Sequence, residues 1–335
     1  MTPFSKVGVI GAGAWGTTIA NLIAKKGDLV YLWDHSPAVF ENIKYHSVND
    51  QFLPGFTLSK NVIPCQAISE AVSGSDLIIV AIPSKFISQT LEKINISITA
   101  NPVILILTKG LILEEKPTFI TDMVLQAIPQ SHLSQLAVLS GPNFALEIAR
   151  ELPAATVIAC VEHDVRTQVQ TFLSTSYFRV YGNSDIIGVQ LGGIMKNVMA
   201  LAAGILDAKA LGMNVKSALI VRGVSEMARL FKPLDCKAET LYGLSGLGDL
   251  IATCQSELSR NHWAGMQLGR GISLTDLQSM GKTVEGIDSL PALKTLAENM
   301  AVELPICNEI YEIIFNHKEI HQSIHDLMKR ALKSE

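Results

Sequence analysis

A chain of 335 residues with 48% hydrophobic content exceeds what one hydrophobic core normally accommodates, so two domains are expected. Its formal charge of −4 and isoelectric point near 6.1 lack the basic footprint of a protein that coats nucleic acid, although a small anion can still bind locally. Mean hydropathy is high at +0.30, yet the apolar runs Leu77 to Ile82 and Val103 to Leu107 are too short to cross a bilayer, so no membrane insertion is expected.

From the start, Met1-Thr2-Pro3-Phe4-Ser5-Lys6 leads directly into a strand without an apolar signal segment, which predicts a cytoplasmic protein. The strand Val7-Gly8-Val9-Ile10 is followed by Gly11-Ala12-Gly13-Ala14-Trp15-Gly16 and then by a helical stretch from Thr17 to Lys26. In that setting Gly11 permits a tight turn, Gly13 lets a pyrophosphate approach the backbone, and Gly16 lets helix and strand pack closely. The free N–H groups at the helix start complete a dinucleotide-phosphate site. Trp15 suits either the dinucleotide or plain packing. A second strand, Leu29 to Trp33, ends at Asp34-His35. An acid there accepts from the adenosine ribose and repels a 2′-phosphate, whereas His35 stacks on adenine or tolerates that phosphate, so NAD and NADP both stay open.

Further runs, Leu77-Ile82, Val103-Leu107, Leu136-Leu139 and Ala155-Cys160, alternate with amphipathic stretches. With the first two strands they predict an α/β fold whose N-terminal domain is a parallel, doubly wound Rossmann sheet. Beyond Ile186 the β-branched runs fade, and apolar residues three and four apart, such as Ile194-Val198-Leu201-Ala202-Ile205, predict an all-α C-terminal domain. The predicted domains are residues 1–188 and 189–335. The five cysteines lie at least 18 residues apart and the eight histidines show no ligand spacing, so neither a disulfide framework nor a metal is predicted.

Several side chains stand out for their own chemistry. Lys109 lies just past the strand Val103-Leu107, where open α/β sheets bind ligands. Ser140-Gly141-Pro142-Asn143-Phe144-Ala145 follows another strand with small residues that allow close backbone approach. Lys196 sits inside an apolar, Gly-rich helix where an ammonium is expensive to bury, and desolvation would ease its role as proton donor to an alkoxide; the alternative is a snorkelling surface lysine. Asn197, about 100° further round the helix, suits substrate positioning. Asp249, on the turn Gly246-Leu247-Gly248-Asp249, either holds Lys196 or caps a helix, and Thr253 shares its face if the segment is helical. Ser259-Arg260-Asn261 reads as a cap, a bidentate cation and an amide opening a helix, an arrangement suited to a phosphate dianion. Glu285 alone is an ordinary charged turn residue.

Taken in order, the glycine turn, Thr108-Lys109-Gly110-Leu111, Ser140 to Ala145, Gly192-Gly193-Ile194-Met195-Lys196-Asn197, and Gly246-Leu247-Gly248-Asp249-Leu250 followed by Ser259-Arg260-Asn261 resemble the NAD(P)-dependent glycerol-3-phosphate dehydrogenase family from about Lys6 to Ile310. The resemblance implies reversible reduction of dihydroxyacetone phosphate to sn-glycerol 3-phosphate with NAD(P)H, a supply of glycerophospholipid backbone, a cytoplasmic location and a homodimer. It implies catalytic roles for Lys196, Lys109 and Asp249. Cofactor contacts would come from Gly11, Gly13, Ala14, Trp15, Gly16, His35, Lys109, Ala145, Arg260, Thr283 and Glu285. Substrate contacts would come from Lys109, Gly141, Asn143, Lys196, Asp249, Ser259, Arg260 and Asn261. Position 143 is often a hydroxyl residue in that family, which leaves the role of the Asn143 side chain open. Two rival readings share the fold: a β-hydroxyacid or 6-phosphogluconate-type dehydrogenase acting on a carboxylate, and a dinucleotide-sensing regulator without turnover.

Overall fold

The computed structural model describes residues 4–99, 101–128 and 132–331. In chain order the strands are β1 (Val7–Ile10), β2 (Val30–Trp33), β3 (Val48–Asn49), β4 (Leu53–Thr57), β5 (Val62–Cys65), β6 (Leu77–Val80), β7 (Val103–Ile106), β8 (Leu111–Leu113), β9 (Pro117–Phe119), β10 (Leu136–Ser140), β11 (Ala154–Ala159) and β12 (Phe178–Asn183). Eight of them form one sheet in the order β12-β11-β10-β7-β6-β1-β2-β5. The central strands β1, β6 and β7 are buried along their whole length, because helices cover both faces of a parallel sheet and leave no polar side to alternate with.

The sheet is not wholly parallel, as the sequence reading expects it to be. Strands β10 and β11 pair antiparallel, with Leu139 opposite Ile158, and β12 runs parallel to β11, so this edge is reversed. The intervening helix explains the reversal. Helix Ala145–Ala149 rises only about 7.5 Å, too little to carry the chain back along a five-residue strand of about 17 Å, so the chain returns beside β10 in the opposite sense. Two edge strands lack a clear sequence signal. Pro64 interrupts β5, which an edge position tolerates, and β12 is half exposed and ends in Gly182-Asn183.

Two compact units result. The first runs through Lys109 and resumes over Phe119–Gln190; the second comprises Gly110–Thr118 and the chain from Leu191 onward. The excursion Gly110–Thr118 has no counterpart in the 1–188 and 189–335 division read from sequence. It joins the second unit because the Leu111 N–H donates to Ser289 Oγ at 3.2 Å and β8 lies along helix Glu285–Asn299. The rest of the second unit is helical among the described residues. Helix Ile186–Ala208, with 23 residues, is long and apolar enough to span a membrane, but 94% of its most apolar window is buried inside the protein. Its apolarity serves a packed core.

Candidate active site

In the first unit, β1 ends at a glycine turn whose three glycines have separate reasons. Gly11 adopts φ +106°, and a Cβ there would meet the Ala81 carbonyl at 2.7 Å. At Gly16 a Cβ would stand 1.9 Å from the Gly11 carbonyl oxygen, so only glycine lets the helix Ala14–Lys25 pack against the turn. Gly13 differs: a Cβ there would meet nothing within 4 Å, and this residue caps the helix without any side-chain hydrogen bond. The helix start therefore presents backbone N–H groups to open space, the feature an anionic pyrophosphate needs.

Two side chains brace that turn. The Asp34 carboxylate accepts from Ala12 N–H at 2.8 Å and from Ser36 N–H at 3.0 Å, and its side chain is only 8% exposed. Asn49, buried on β3, donates to the Ala12 carbonyl at 2.7 Å and to Thr17 Oγ1 at 2.8 Å. The sequence reading leaves Asp34 and His35 as equals, and the structure separates them. Asp34 is locked into the turn, while the His35 side chain is 81% exposed, 3.1 Å from Asp34. Trp15 packs edge-to-face on Phe178 against the core of the first unit. Ala14 opens the helix, and Ala145 opens helix Ala145–Ala149, its carbonyl 3.4 Å from Thr18 Oγ1.

Past the ends of β7 and β10, Lys109 Nζ donates to the Gly141 carbonyl at 3.2 Å. Gly141 has φ +155°, and its Cα lies so near Thr156 that a Cβ would come within 3.1 Å. Thr156 donates to the Ser140 carbonyl at 3.1 Å and accepts from Asn143 Nδ2 at 2.8 Å. The Asn143 amide is thus held from one side, and its Oδ1 is buried with no hydrogen-bond partner, a group that a bound polar ligand would satisfy. No sequence signal marks Thr156, which looks like one more residue of a buried strand.

In the second unit, Lys196 is 8% exposed and Asp249 1%, and the Nζ donates to Asp249 Oδ1 at 2.5 Å and to Thr253 Oγ1 at 2.9 Å. Asp249 begins helix Asp249–Gln255, and Gly248 takes the cap position, so the carboxylate serves Lys196 and not the helix start. Thr253, one turn on, donates to the Asp249 carbonyl at 2.6 Å, which fixes its hydroxyl as an acceptor for the lysine. Gly192 allows the helix to approach: a Cβ there would lie 2.5 Å from the Ser245 carbonyl oxygen. The neighbouring Cys254 is no competing nucleophile, since burial pushes its thiol up to about 12.

Asn197, beside Lys196, accepts from Asn261 Nδ2 at 2.9 Å, and Asn261 Oδ1 accepts from Gly286 N–H at 2.9 Å. Helix Arg260–Gly269 is capped by Ser259, whose Oγ accepts from His262 N–H at 3.2 Å. Arg260 itself is exposed and forms no ion pair among the described residues. A cation thus stands at a helix start joined to the lysine's helix through one amide pair, a setting for a dianion. Thr283 and Glu285 flank the buried Val284, with Glu285 opening helix Glu285–Asn299. Sequence reading missed Asp207, Lys216 and His262, which are buried or half-buried together nearby; His262 directly follows the Ser259-Arg260-Asn261 motif, and that adjacency was the available signal.

A family model described as the NAD-dependent glycerol-3-phosphate dehydrogenase N-terminus matches residues 6–166, and its C-terminal counterpart matches residues 185–325. Proteins named glycerol-3-phosphate dehydrogenase [NAD(P)+] from Geobacter metallireducens and Syntrophotalea carbinolica are 40% and 38% identical over 332 residues. Each alignment spans 98% of this chain, with 98% and 99% of the relative covered. The crystal structure of glycerol-3-phosphate dehydrogenase from Coxiella burnetii superposes with a TM-score of 0.92 at 32% identity, covering 97% of this chain and 99% of that one. The chain belongs to the NAD(P)-dependent glycerol-3-phosphate dehydrogenase family.

Proposed function

We propose that this protein reduces dihydroxyacetone phosphate reversibly to sn-glycerol 3-phosphate with NAD(P)H and so supplies the glycerophospholipid backbone. The observation that carries the reading is the buried Lys196, held by Asp249 and Thr253 beside an amide pair that leads to Arg260. The dinucleotide fits this chain: the uncapped helix start and the open space over Gly13 accept its phosphates, and the locked turn keeps them in register. Bound there, the nicotinamide supplies the hydride that reduces C2.

The protein's own residues do the rest. Lys196 gives a proton to the C2 oxygen as negative charge develops on it, and takes one back in the reverse direction. Asp249 keeps the lysine nitrogen in place and offsets its buried charge, and Thr253 limits its rotation. Arg260 and the first N–H groups of its helix take the phosphate, with Asn261 oriented by Asn197 and Gly286. In the first unit Lys109 is oriented by the Gly141 carbonyl, and Asn143 offers its unpartnered Oδ1 to a substrate hydroxyl. Further contacts to the cofactor are assigned to Ala14, Trp15, His35, Ala145, Thr283 and Glu285, and the enzyme is assigned to the cytoplasm as a homodimer; these assignments follow the family resemblance.

The test is absorbance at the reduced-nicotinamide band with NADH and NADPH in parallel, using dihydroxyacetone phosphate and unphosphorylated dihydroxyacetone. Phosphate binding should raise turnover as well as affinity, because remote binding energy orients the reacting end. Equal turnover on the two ketones would overturn the substrate assignment.

A further inference from the structure

A second polar cluster lies in the second unit, and none of the steps above uses it. Asp207, near the end of helix Ile186–Ala208, accepts at Oδ2 from Lys216 Nζ at 2.6 Å, and His262 Nε2 lies 2.7 Å from the same oxygen. Lys216 comes from helix Gly212–Phe231 and His262 from helix Arg260–Gly269, so one carboxylate ties three helices. His262 is 3% exposed and Lys216 is buried. A carboxylate only accepts, so Nε2 carries the proton, and Nδ1 is left buried with no hydrogen-bond partner. The Asp207 side chain keeps 32% of its surface exposed, but the unpaired ring nitrogen of His262 is buried, and an apolar side chain would fill its place at less cost. The position of the cluster indicates what it does instead.

Helices Ile186–Ala208 and Arg260–Gly269 touch backbone to backbone. A Cβ on Gly204 would lie 2.1 Å from the His262 carbonyl oxygen, and one on Gly265 would lie 2.1 Å from that of Leu201. At such close backbone approach, directional bonds between the two helices add to packing in fixing their register. Two consecutive residues supply them: Asn261 bonds Asn197, and His262 bonds Asp207. His262 N–H also donates to the Ser259 cap, which places its ring bond one residue from the amide that faces the phosphate site.

We propose that Asp207, His262 and Lys216 are positioning residues: a latch that sets the register of helix Arg260–Gly269 and thereby aims Arg260 and Asn261 at the substrate phosphate. The inference rests on the phosphate reading of Arg260 given above. Its signature is a loss confined to the phosphorylated substrate, with cofactor binding and the reaction of the unphosphorylated ketone unchanged.

The experiment measures kcat and KM for dihydroxyacetone phosphate, kcat/KM for unphosphorylated dihydroxyacetone, and NADH affinity by fluorescence, in His262→Leu, His262→Gln, Asp207→Asn and Arg260→Ala. Glutamine places an amide donor near the position of Nε2, so His262→Gln should keep a near-normal KM. His262→Leu and Asp207→Asn should raise KM for dihydroxyacetone phosphate about tenfold or more, the loss of a charge-assisted bond, and lower kcat for that substrate as well, because a misplaced phosphate orients the reacting end less well, with NADH affinity and the unphosphorylated reaction little changed. Should Asp207→Asn fail to fold, the His262 pair decides. If Arg260→Ala raises KM but His262→Leu does not, or if leucine and glutamine at 262 behave alike, the latch is refuted. If Arg260→Ala leaves KM unchanged, the phosphate reading fails and the latch with it.

Discussion

The pair Lys196–Asp249 is the strongest place to separate stability from catalysis. Both side chains are almost fully buried and bonded at 2.5 Å, so removing either one leaves an uncompensated charge in the interior. Breaking a buried pair in this way costs about 3–5 kcal/mol. At roughly 2 °C per kcal/mol for a chain of this length, Lys196→Met and Asp249→Leu should each lower the melting temperature by about 6–10 °C. The double variant carries no stranded charge, and its melting point should return to within about 3 °C of the parent, because apolar replacements of similar volume often match a buried pair. Activity should follow a different pattern. Lys196→Met should lose at least about a hundredfold in kcat, the usual contribution of a positioned proton donor, and the double variant should recover none of it. Scanning calorimetry and steady-state rates on the four proteins complete the cycle, with NADH titration confirming that the first unit still binds. Additive losses in the double variant would show that the two side chains are not coupled, and near-normal turnover in Lys196→Met would remove the lysine from the mechanism.

Three further outcomes follow from the geometry. A methyl group at residue 16 would collide with the Gly11 carbonyl, so Gly16→Ala should weaken NADH binding at least about tenfold in a fluorescence titration; unchanged binding would dissociate the turn from the cofactor. Asp34, fixed by two backbone N–H groups, opposes a 2′-phosphate, so the enzyme should prefer NADH, and Asp34→Asn should cut the NADH-to-NADPH ratio of kcat/KM by about tenfold. Glu226 accepts from Ile306 and Cys307 N–H at the start of helix Pro305–Phe315, and burial raises its pKa above the usual 4.5, with those bonds only partly offsetting the shift. From 4.5 up to that raised value the native state binds more protons than the unfolded chain, so this group's contribution to stability declines as pH rises, and Glu226→Gln should flatten that part of the denaturant-midpoint profile.

The fold was legible wherever a residue's local pattern and its burial agree. Strands β1, β6 and β7 are apolar without interruption because both faces are covered, and a sequence shows this directly. Edge strands lose that signal: β5 carries Pro64, and the exposed positions of β12 resemble a loop. Strand direction was hidden for another reason. Whether β11 runs with or against β10 depends on how far the connecting helix can travel, a length property that hydrophobic pattern does not encode.

The site divides along the same physical line. Among the proposed site residues, the glycines at 11, 13 and 16 stand out by their spacing after a strand, Lys196 by its charge in an apolar run, Lys109 and Asp249 by their place at a strand end and a glycine turn, and Arg260 by its place after a helix cap. Thr156, Asn49 and Asp207 bond Asn143, Ala12 and His262, next to the residues that stand out, through contacts that span 13, 37 and 55 positions. Nothing local distinguishes them from an ordinary strand hydroxyl, a turn amide or a helix-end acid. The residues proposed to meet a ligand stand out locally, whereas the residues that brace them need only be in reach. A polar side chain one position beyond a recognisable binding motif, as His262 is beyond Asn261, is therefore the place to look for support that the motif itself does not reveal.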